Sequence, residues 1–245
     1  MPHRRKLVIG LGSGRCGTRS LAALLNSQNR ARVSHELFGP SVAWEEGDPT
    51  VWNILRNLPS NSDLRLVGDV ASYYLPYVES ILSVYLSARF VCLQRDREET
   101  IASFVKKTPR KNHWMAHDGV RWRHSPWDQC FPKYRASTKE QAIGQYWDEY
   151  YRRAEELQSR YPASFRVFPI EALNALDGQR QILDFLSVPD EDRRFAVGIR
   201  LNAAKPRGIR GLLRRLRRLL PGPRPVCPEP QTAASPLAPP LLRAS

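Results

Sequence analysis

The stretch that decides the fold joins an apolar run to a glycine-rich turn and a helix start, and it reads Leu7-Val8-Ile9-Gly10-Leu11-Gly12-Ser13-Gly14-Arg15-Cys16-Gly17-Thr18-Arg19-Ser20. An apolar run followed by glycines predicts a buried strand that ends in a tight turn. Glycines let the backbone turn sharply and approach a ligand closely. The helix that starts near Thr18 directs free N–H groups and its positive dipole end at the turn. Because Arg15 adds a permanent charge, the turn is a candidate anion site.

A second stretch of the same design follows about eighty residues later. The apolar run Phe90-Val91-Cys92-Leu93 leads into Arg95, and Ser103 comes eight residues after Arg95 on the next predicted helix. Each stretch is a strand, a tight loop and a helix start that carries a cation and a hydroxyl. A pair of such sites predicts a ligand with phosphates at two separate places, as in a doubly phosphorylated nucleotide.

The two motifs together resemble those of the PAPS-dependent sulfotransferases, well over residues 6–108 and loosely beyond. Gly14-Arg15-Cys16-Gly17-Thr18-Arg19-Ser20-Leu21 is similar to their 5′-phosphosulfate loop, and Arg95 through Ser103 to their 3′-phosphate signature. Residues 200–207 resemble a basic loop that closes over the 3′-phosphate in some relatives. The cofactor residues that the resemblance implies are Gly14, Arg15, Cys16, Gly17, Thr18, Arg19, Ser20, Arg95, Ser103, Lys205 and Arg207.

The resemblance implies a single-domain, P-loop-like α/β fold of three layers, with a central parallel sheet and helices on both faces. Alternation of strands near 6–11, 31–34, 64–70, 88–94 and 165–168 with helices near 18–28, 49–58, 74–86, 98–107, 138–160 and 179–187 predicts the same architecture. The implied activity is transfer of a sulfuryl group from PAPS (3′-phosphoadenosine 5′-phosphosulfate) to a hydroxyl or amine of a carbohydrate, lipid or small molecule. The product would be adenosine 3′,5′-bisphosphate, and no metal is implied.

Sulfuryl transfer needs a cation for the departing oxygen and a base for the acceptor. Arg15 is the natural cation. Glu36 follows the second predicted strand, 21 residues after Arg15, where several similar sulfotransferases carry a glutamate. Glu36 is the first candidate for the base and His35 the second, with His113 or His117 as alternatives if the acceptor lies under the later loop. In the competing interpretation, Glu36 only caps or pairs with a neighbouring arginine.

One departure from the family pattern concerns the third strand. Many relatives carry a lysine after this strand that helps to bind the sulfate, whereas this chain reads Gly68-Asp69-Val70-Ala71 without a cation. Arg19 or Lys106 would have to substitute, or the sulfate is bound more loosely. Asp69 could instead orient the acceptor.

The segment from Lys106 to Tyr134 is the predicted acceptor region. It contains three of the six tryptophans, Trp114, Trp122 and Trp127, with cations and histidines between them. Flat aromatic faces among cations could bind a sugar, an aromatic ring or an acidic substrate. The alternative is that a long loop needs aromatic anchors merely to pack.

Charge and composition divide the chain into three parts. Residues 199–245 carry ten Lys or Arg and one acidic residue, so they contribute +9 of the net +14. We expect an α/β domain over 1–207, a basic amphipathic helix over 208–220 and a disordered tail over 221–245, where eight of 25 residues are proline. The leucine- and arginine-rich residues 207–220 suit either an anionic membrane surface or packing on the domain.

The remaining composition bounds the cellular setting and the partners. Four well-separated cysteines, at 16, 92, 130 and 227, predict free thiols in a reducing compartment. We therefore expect a cytoplasmic protein. It would contact a membrane only if the basic helix binds one. The short apolar stretch after the basic N-terminus predicts a first strand and not a signal peptide. We expect no nucleic-acid partner, since no binding motif accompanies the charge. The sequence does not decide the oligomeric state.

Two other functions compete with sulfuryl transfer. An ATP-dependent small-molecule kinase shares the strand–loop–helix start, but here no lysine follows Gly17 as the Walker A pattern requires. A non-catalytic, basic protein that binds a membrane surface could also be built on the same fold.

Overall fold

The computed structural model describes residues 5–45 and 47–197, which form a parallel sheet with helices on both faces. The five strands are β1 (Lys6–Leu11), β2 (Ala31–His35), β3 (Leu66–Val70), β4 (Arg89–Gln94) and β5 (Phe165–Pro169). The helices are α1 (Thr18–Asn26), α2 (Thr50–Arg56), α3 (Val78–Val84), α4 (Arg97–Lys107), α5 (Lys139–Arg160) and α6 (Leu176–Phe185). The predicted α/β fold class is confirmed.

The strand order in the sheet is β2-β3-β1-β4-β5, and all four pairings are parallel. The chain passes from β1 over β3 to the edge strand β2, returns to β3, and crosses to the other side of β1 with β4. The order therefore reverses around β1, where such sheets open a crevice beyond the carboxyl ends of the strands. The loops after β1 and β4, which carry the two motifs, meet at this crevice.

Side chains of β1 alternate between two hydrophobic cores, one on each face of the sheet. Leu7, Ile9 and Leu11 belong to the core that α5 covers, whereas Val8 packs with residues of α1 and α6. This alternation follows from the two-residue period of a strand. It explains why β1 reads as a continuous apolar run.

The structure corrects one predicted helix. A single helix near 74–86 was expected, but the segment is a 3-10 turn over Ser72–Tyr77 followed by the short helix α3. Pro76 lies inside this segment and lacks the N–H that a regular helix would need there. The turn leaves Tyr73, Tyr74 and Tyr77 buried.

Candidate functional site

The glycine loop between β1 and α1 forms a backbone cradle that is open at the start of α1. Gly14 and Gly17 adopt φ angles of 89° and 88°, a region that residues with a Cβ rarely adopt. Arg15 has a φ of 59°, which is uncommon for a residue other than glycine. Gly17 caps α1 without a side-chain hydrogen bond, and the first turn contains no acidic residue. Its N–H groups and helix dipole therefore favour an anion.

Three tyrosine hydroxyls from α5 bind the first half of this loop and the end of β4 beside it. The Gly12 N–H donates to the Tyr150 hydroxyl at 3.0 Å, and the Tyr146 hydroxyl donates to the Ser13 carbonyl at 3.0 Å. The Tyr151 hydroxyl donates to the Leu93 carbonyl at 2.8 Å, so it links the loop region to β4. The sequence predicted α5 but gave no sign that its tyrosines bind the loop.

The two predicted anion motifs meet through Arg15. Its Nε donates to the Ser103 hydroxyl at 3.1 Å, across 88 residues of sequence. Arg95 donates from its guanidinium to the Arg15 carbonyl at 3.0 Å and also pairs with Glu99 at 2.9 Å. Burial and the nearby Arg95 charge lower the pKa of Arg15. The guanidinium groups of Arg15 and Arg95 and the Ser103 hydroxyl therefore lie together. The sequence predicted two separate anion sites, each with a cation and a hydroxyl.

His35 is the last residue of β2, and Glu36 follows it directly. The Glu36 backbone has a φ of 51°, and its N–H donates to the Val70 carbonyl at 3.1 Å. His35 Nε2 lies 3.0 Å from the Thr18 hydroxyl, and His35 Nδ1 lies 3.6 Å from the Glu36 carboxylate. Both candidate bases therefore lie beside the start of α1.

The surroundings of the two candidate bases raise the pKa of Glu36 and lower the pKa of His35. Burial, followed by the Asp69 charge, raises the pKa of the Glu36 carboxyl. Burial, followed by the Arg19 charge, lowers the pKa of His35 to about 4. A general base works best when its pKa lies near the working pH. This comparison favours Glu36 over His35.

Asp69 is a support for the loop after β2 and not an acceptor contact. Its side chain is fully buried, and both oxygens accept the Leu37 N–H at 3.3 Å. One oxygen also accepts the Tyr74 hydroxyl at 2.8 Å. The expectation that Asp69 orients an acceptor is corrected, because the carboxylate points at the backbone next to Glu36.

A cleft with a volume of about 980 Å³ is lined by Arg15, Arg95, His35 and Glu36, whereas Ser103 and Asp69 are not among its lining residues. Seven cationic residues and three acidic residues line it. The cations are Arg15, Arg19, Arg95, Lys107, Arg110, Lys111 and Arg123, and the acids are Glu36, Glu99 and Glu171. Of the two proposed replacements for the missing lysine, Arg19 lines the cleft, whereas Lys106 is not among its lining residues. The excess of cations suits a polyanionic ligand of nucleotide size.

The remaining cofactor-loop residues are partly brought into this cleft. Gly14, Gly17, Thr18 and Ser20 line it. The Cys16 side chain is fully buried, so a contact between its thiol and a ligand is ruled out in this arrangement and only its backbone could contribute. Lys205 and Arg207, together with the predicted basic helix and proline-rich tail, lie outside the described residues.

The three tryptophans of the predicted acceptor region have three different surroundings. Trp114 is fully buried against Phe104 and Phe131, at ring distances of 4.8 and 5.1 Å, so its prediction as an acceptor contact is corrected to a packing role. Trp122 packs with Arg121 and Lys139 and is not among the residues that line the cleft. Trp127 and His113 line the cleft.

The described cysteines bear on disulfide bonds, and the described helices bear on membrane spans. Cys16, Cys92 and Cys130 are buried and form no disulfide with one another. Among the described helices, none has the length and apolar character needed to cross a bilayer.

Comparison with known proteins supports the architecture. No protein-family model matches the chain, and no curated protein matches it in sequence. Among solved structures, a sulfotransferase from Alicyclobacillus acidocaldarius is similar to this chain, with a TM-score of 0.50 and 15% sequence identity. The similarity covers 81% of this chain and 87% of that chain. This chain therefore has a sulfotransferase-like α/β fold with a parallel central sheet.

Proposed function

We propose that the protein is a sulfotransferase that uses PAPS and sulfates a hydroxyl or amine of a carbohydrate, lipid or small-molecule acceptor. The observation that carries this proposal is the contact between the two predicted anion motifs, the Arg15–Ser103 bond of 3.1 Å, beside a cleft that Arg15 and Arg95 line. Glu36 lines the same cleft. The fold similarity to a sulfotransferase supports the assignment.

The cleft residues fit the two anionic ends of PAPS. The backbone N–H groups at Gly17 and Thr18, with the hydroxyls of Thr18 and Ser20, would bind the 5′ end at the start of α1. Arg95, directly after β4, and Ser103, on α4, would bind the 3′-phosphate. Bound PAPS would supply an activated sulfuryl group and a nucleotide leaving group.

The residues around this site can perform the two tasks that transfer requires. Glu36 would accept the proton of the acceptor hydroxyl or amine, and burial and the Asp69 charge raise the pKa of Glu36 and so make it a stronger base. Among the described residues Arg15 donates only through its Nε, to Ser103, so the two terminal nitrogens of its guanidinium would neutralise charge on the departing oxygen. Trp127 and His113, in the wall formed by the later loop, would contact the acceptor.

Calorimetry with adenosine 3′,5′-bisphosphate and with ATP tests the assignment. We expect the bisphosphate to bind more tightly, because ATP has no 3′-phosphate for Arg95 and Ser103. Equal or tighter binding of ATP would contradict the proposal and favour a kinase. Turnover of labelled PAPS with a library of acceptors would exclude a purely binding role, and it would also identify the acceptor class.

A further inference from the structure

A cluster of histidines organises the long loop between α4 and α5. This loop runs over residues 108–138, and its regular structure is limited to one 3-10 turn over Pro126–Cys130. Loops of this length without secondary structure are uncommon in compact domains, and they need specific contacts to order them. None of the described cysteines supplies a disulfide here. In the middle of the loop, His117, His124 and Asp128 converge instead.

The convergence has the dimensions of a metal site. His117 Nε2 lies 3.6 Å from Asp128 Oδ2, and His124 Nδ1 lies 4.0 Å from the same oxygen. One ligand atom from each residue lies within 4.8 Å of the others. Ligands around a tetrahedral zinc ion, with bonds of about 2.0–2.2 Å, stand roughly 3.3–3.6 Å apart. A small inward movement of His124, whose side chain is 67% exposed, would close the cluster.

Two further contacts orient Asp128 before any ion binds. His113 Nδ1 lies 2.6 Å from Asp128 Oδ1, and the Ser125 N–H donates to Asp128 Oδ2 at 2.8 Å. Hydrogen bonds of this kind commonly fix metal-ligating side chains. Gly119, at a φ of 86°, leaves room for the His124 ring, since a Cβ there would lie 2.6 Å from that ring.

The buried His117 ring provides an independent observation. Its side chain is only 9% exposed, and its Nδ1 has no hydrogen-bond partner among the described residues. Its Nε2 faces Asp128 at a distance longer than a hydrogen bond. Nε2 is therefore free to take an ion, which would bond to Nε2 and to the Asp128 carboxylate, whereas Nδ1 lies outside this bond and stays without a partner among the described residues.

We propose that His117, His124 and Asp128 bind one zinc ion, with water as the fourth ligand. Two imidazole nitrogens and one carboxylate oxygen suit zinc, whereas magnesium and calcium prefer oxygen ligands throughout. The ion would tie together a loop that also supplies His113 and Trp127 to the wall of the cleft. This site stands apart from the proposed sulfuryl transfer and does not depend on it.

Zinc titration of the metal-stripped full-length chain tests the site, with a chromophoric chelator as competitor. We expect about one tight site per chain and, with Co²⁺, the intense visible absorption of a tetrahedral complex. His124→Ala and Asp128→Asn should each weaken zinc binding by at least about tenfold. Gly119→Ala should also weaken it, although it removes no ligand. Zinc should raise the Tm of the wild type but not that of His124→Ala.

Two control variants locate the ion. Asp118→Asn changes a carboxylate of the same loop that bonds only to the Val120 N–H, and it should leave zinc affinity unchanged. His35→Ala removes the histidine–carboxylate pair outside this loop, His35–Glu36, and should also leave zinc affinity unchanged. No binding by the wild type, or equal binding by wild type and His124→Ala, would overturn the proposal. Loss of binding only in His35→Ala would overturn it as well, because the ion would then lie at the other pair.

Discussion

The buried carboxylate of Asp69 accepts the backbone N–H of Leu37, the residue directly after Glu36, at 3.3 Å from each oxygen. Asp69 therefore acts on the candidate base in two ways. It fixes the backbone that carries Glu36, and its charge raises the pKa of the Glu36 carboxyl.

Asp69→Asn should move the acidic limb of the pH–rate profile to lower pH. Above its own pKa, which burial raises, Asp69 is charged and disfavours the ionised form of Glu36. Neutral asparagine keeps a hydrogen-bond acceptor for Leu37 but removes this repulsion, so Glu36 ionises at lower pH and the base form persists further into acid. The profile of kcat/KM measures the shift. A limb that stays in place would show that Asp69 has no electrostatic effect on the base.

Arg95→Ala and Ser103→Ala should discriminate between two nucleotides. Either change should weaken adenosine 3′,5′-bisphosphate much more than adenosine 5′-monophosphate, which lacks the 3′ group. Loss of a charge-assisted hydrogen bond costs on the order of 1.5–3 kcal/mol. Calorimetry with both nucleotides measures the difference, and Arg180→Ala, far along the chain on α6, is a matched control. Equal weakening of both nucleotides would make Arg95 structural.

Arg15→Ala should lower turnover more than cofactor affinity. The charge on the departing oxygen develops only in the transition state, and removal of one such donor costs roughly 10²–10³ in kcat. Steady-state kinetics with a saturating acceptor, together with bisphosphate binding, separates the two effects. Unchanged turnover would remove Arg15 from the mechanism.

Local sequence patterns predicted the elements well because each depends on neighbouring residues. The apolar run before Gly12 is such a local signal, and the helix predicted near 138–160 is α5, which begins at Lys139 after a capping box at Thr138. Local patterns could not predict contacts between segments that are distant in the sequence. The Tyr146–Ser13 bond spans 133 residues, and nothing in the spacing of α5 distinguishes a tyrosine that binds the loop from one that only packs.

The same limit explains the errors at individual residues. Trp114 was predicted to contact an acceptor because it lies among cations in the sequence. In the structure it packs against Phe104, on α4, and Phe131, directly after the 3-10 turn over Pro126–Cys130. Asp69 lies near the carboxyl end of β3, at a ligand-facing edge of the sheet, but its orientation toward Leu37 depends on the path of the chain after β2.

Tyr146→Phe should destabilise the glycine loop. The change removes the hydroxyl that donates to the buried Ser13 carbonyl and leaves the ring in the core. An unsatisfied buried acceptor costs about 1–3 kcal/mol in the free energy of unfolding. Denaturant unfolding measures this loss, and bisphosphate affinity should fall with it. Tyr161→Phe, at the exposed end of α5, should change stability much less than Tyr146→Phe does. Equal effects of the two variants would show that the Tyr146 bond does not support the loop.

Glu36→Gln tests the base directly, because it keeps the size and polarity of the side chain but removes its basicity. If Glu36 is the general base, turnover should fall by roughly 10²–10⁴-fold with cofactor affinity nearly intact. The acidic limb of the pH–rate profile should disappear, since it would report ionisation of this carboxyl. His35→Ala is the matched variant. Burial and the Arg19 charge lower the pKa of His35 to about 4, which makes His35 the weaker base near neutrality. Loss of His35 should therefore leave the acidic limb present. A Glu36→Gln enzyme that stays active, combined with a His35→Ala enzyme that loses the limb, would move the base to His35. A Glu36→Gln enzyme that unfolds more easily but keeps its profile would instead make Glu36 a structural partner of a neighbouring arginine.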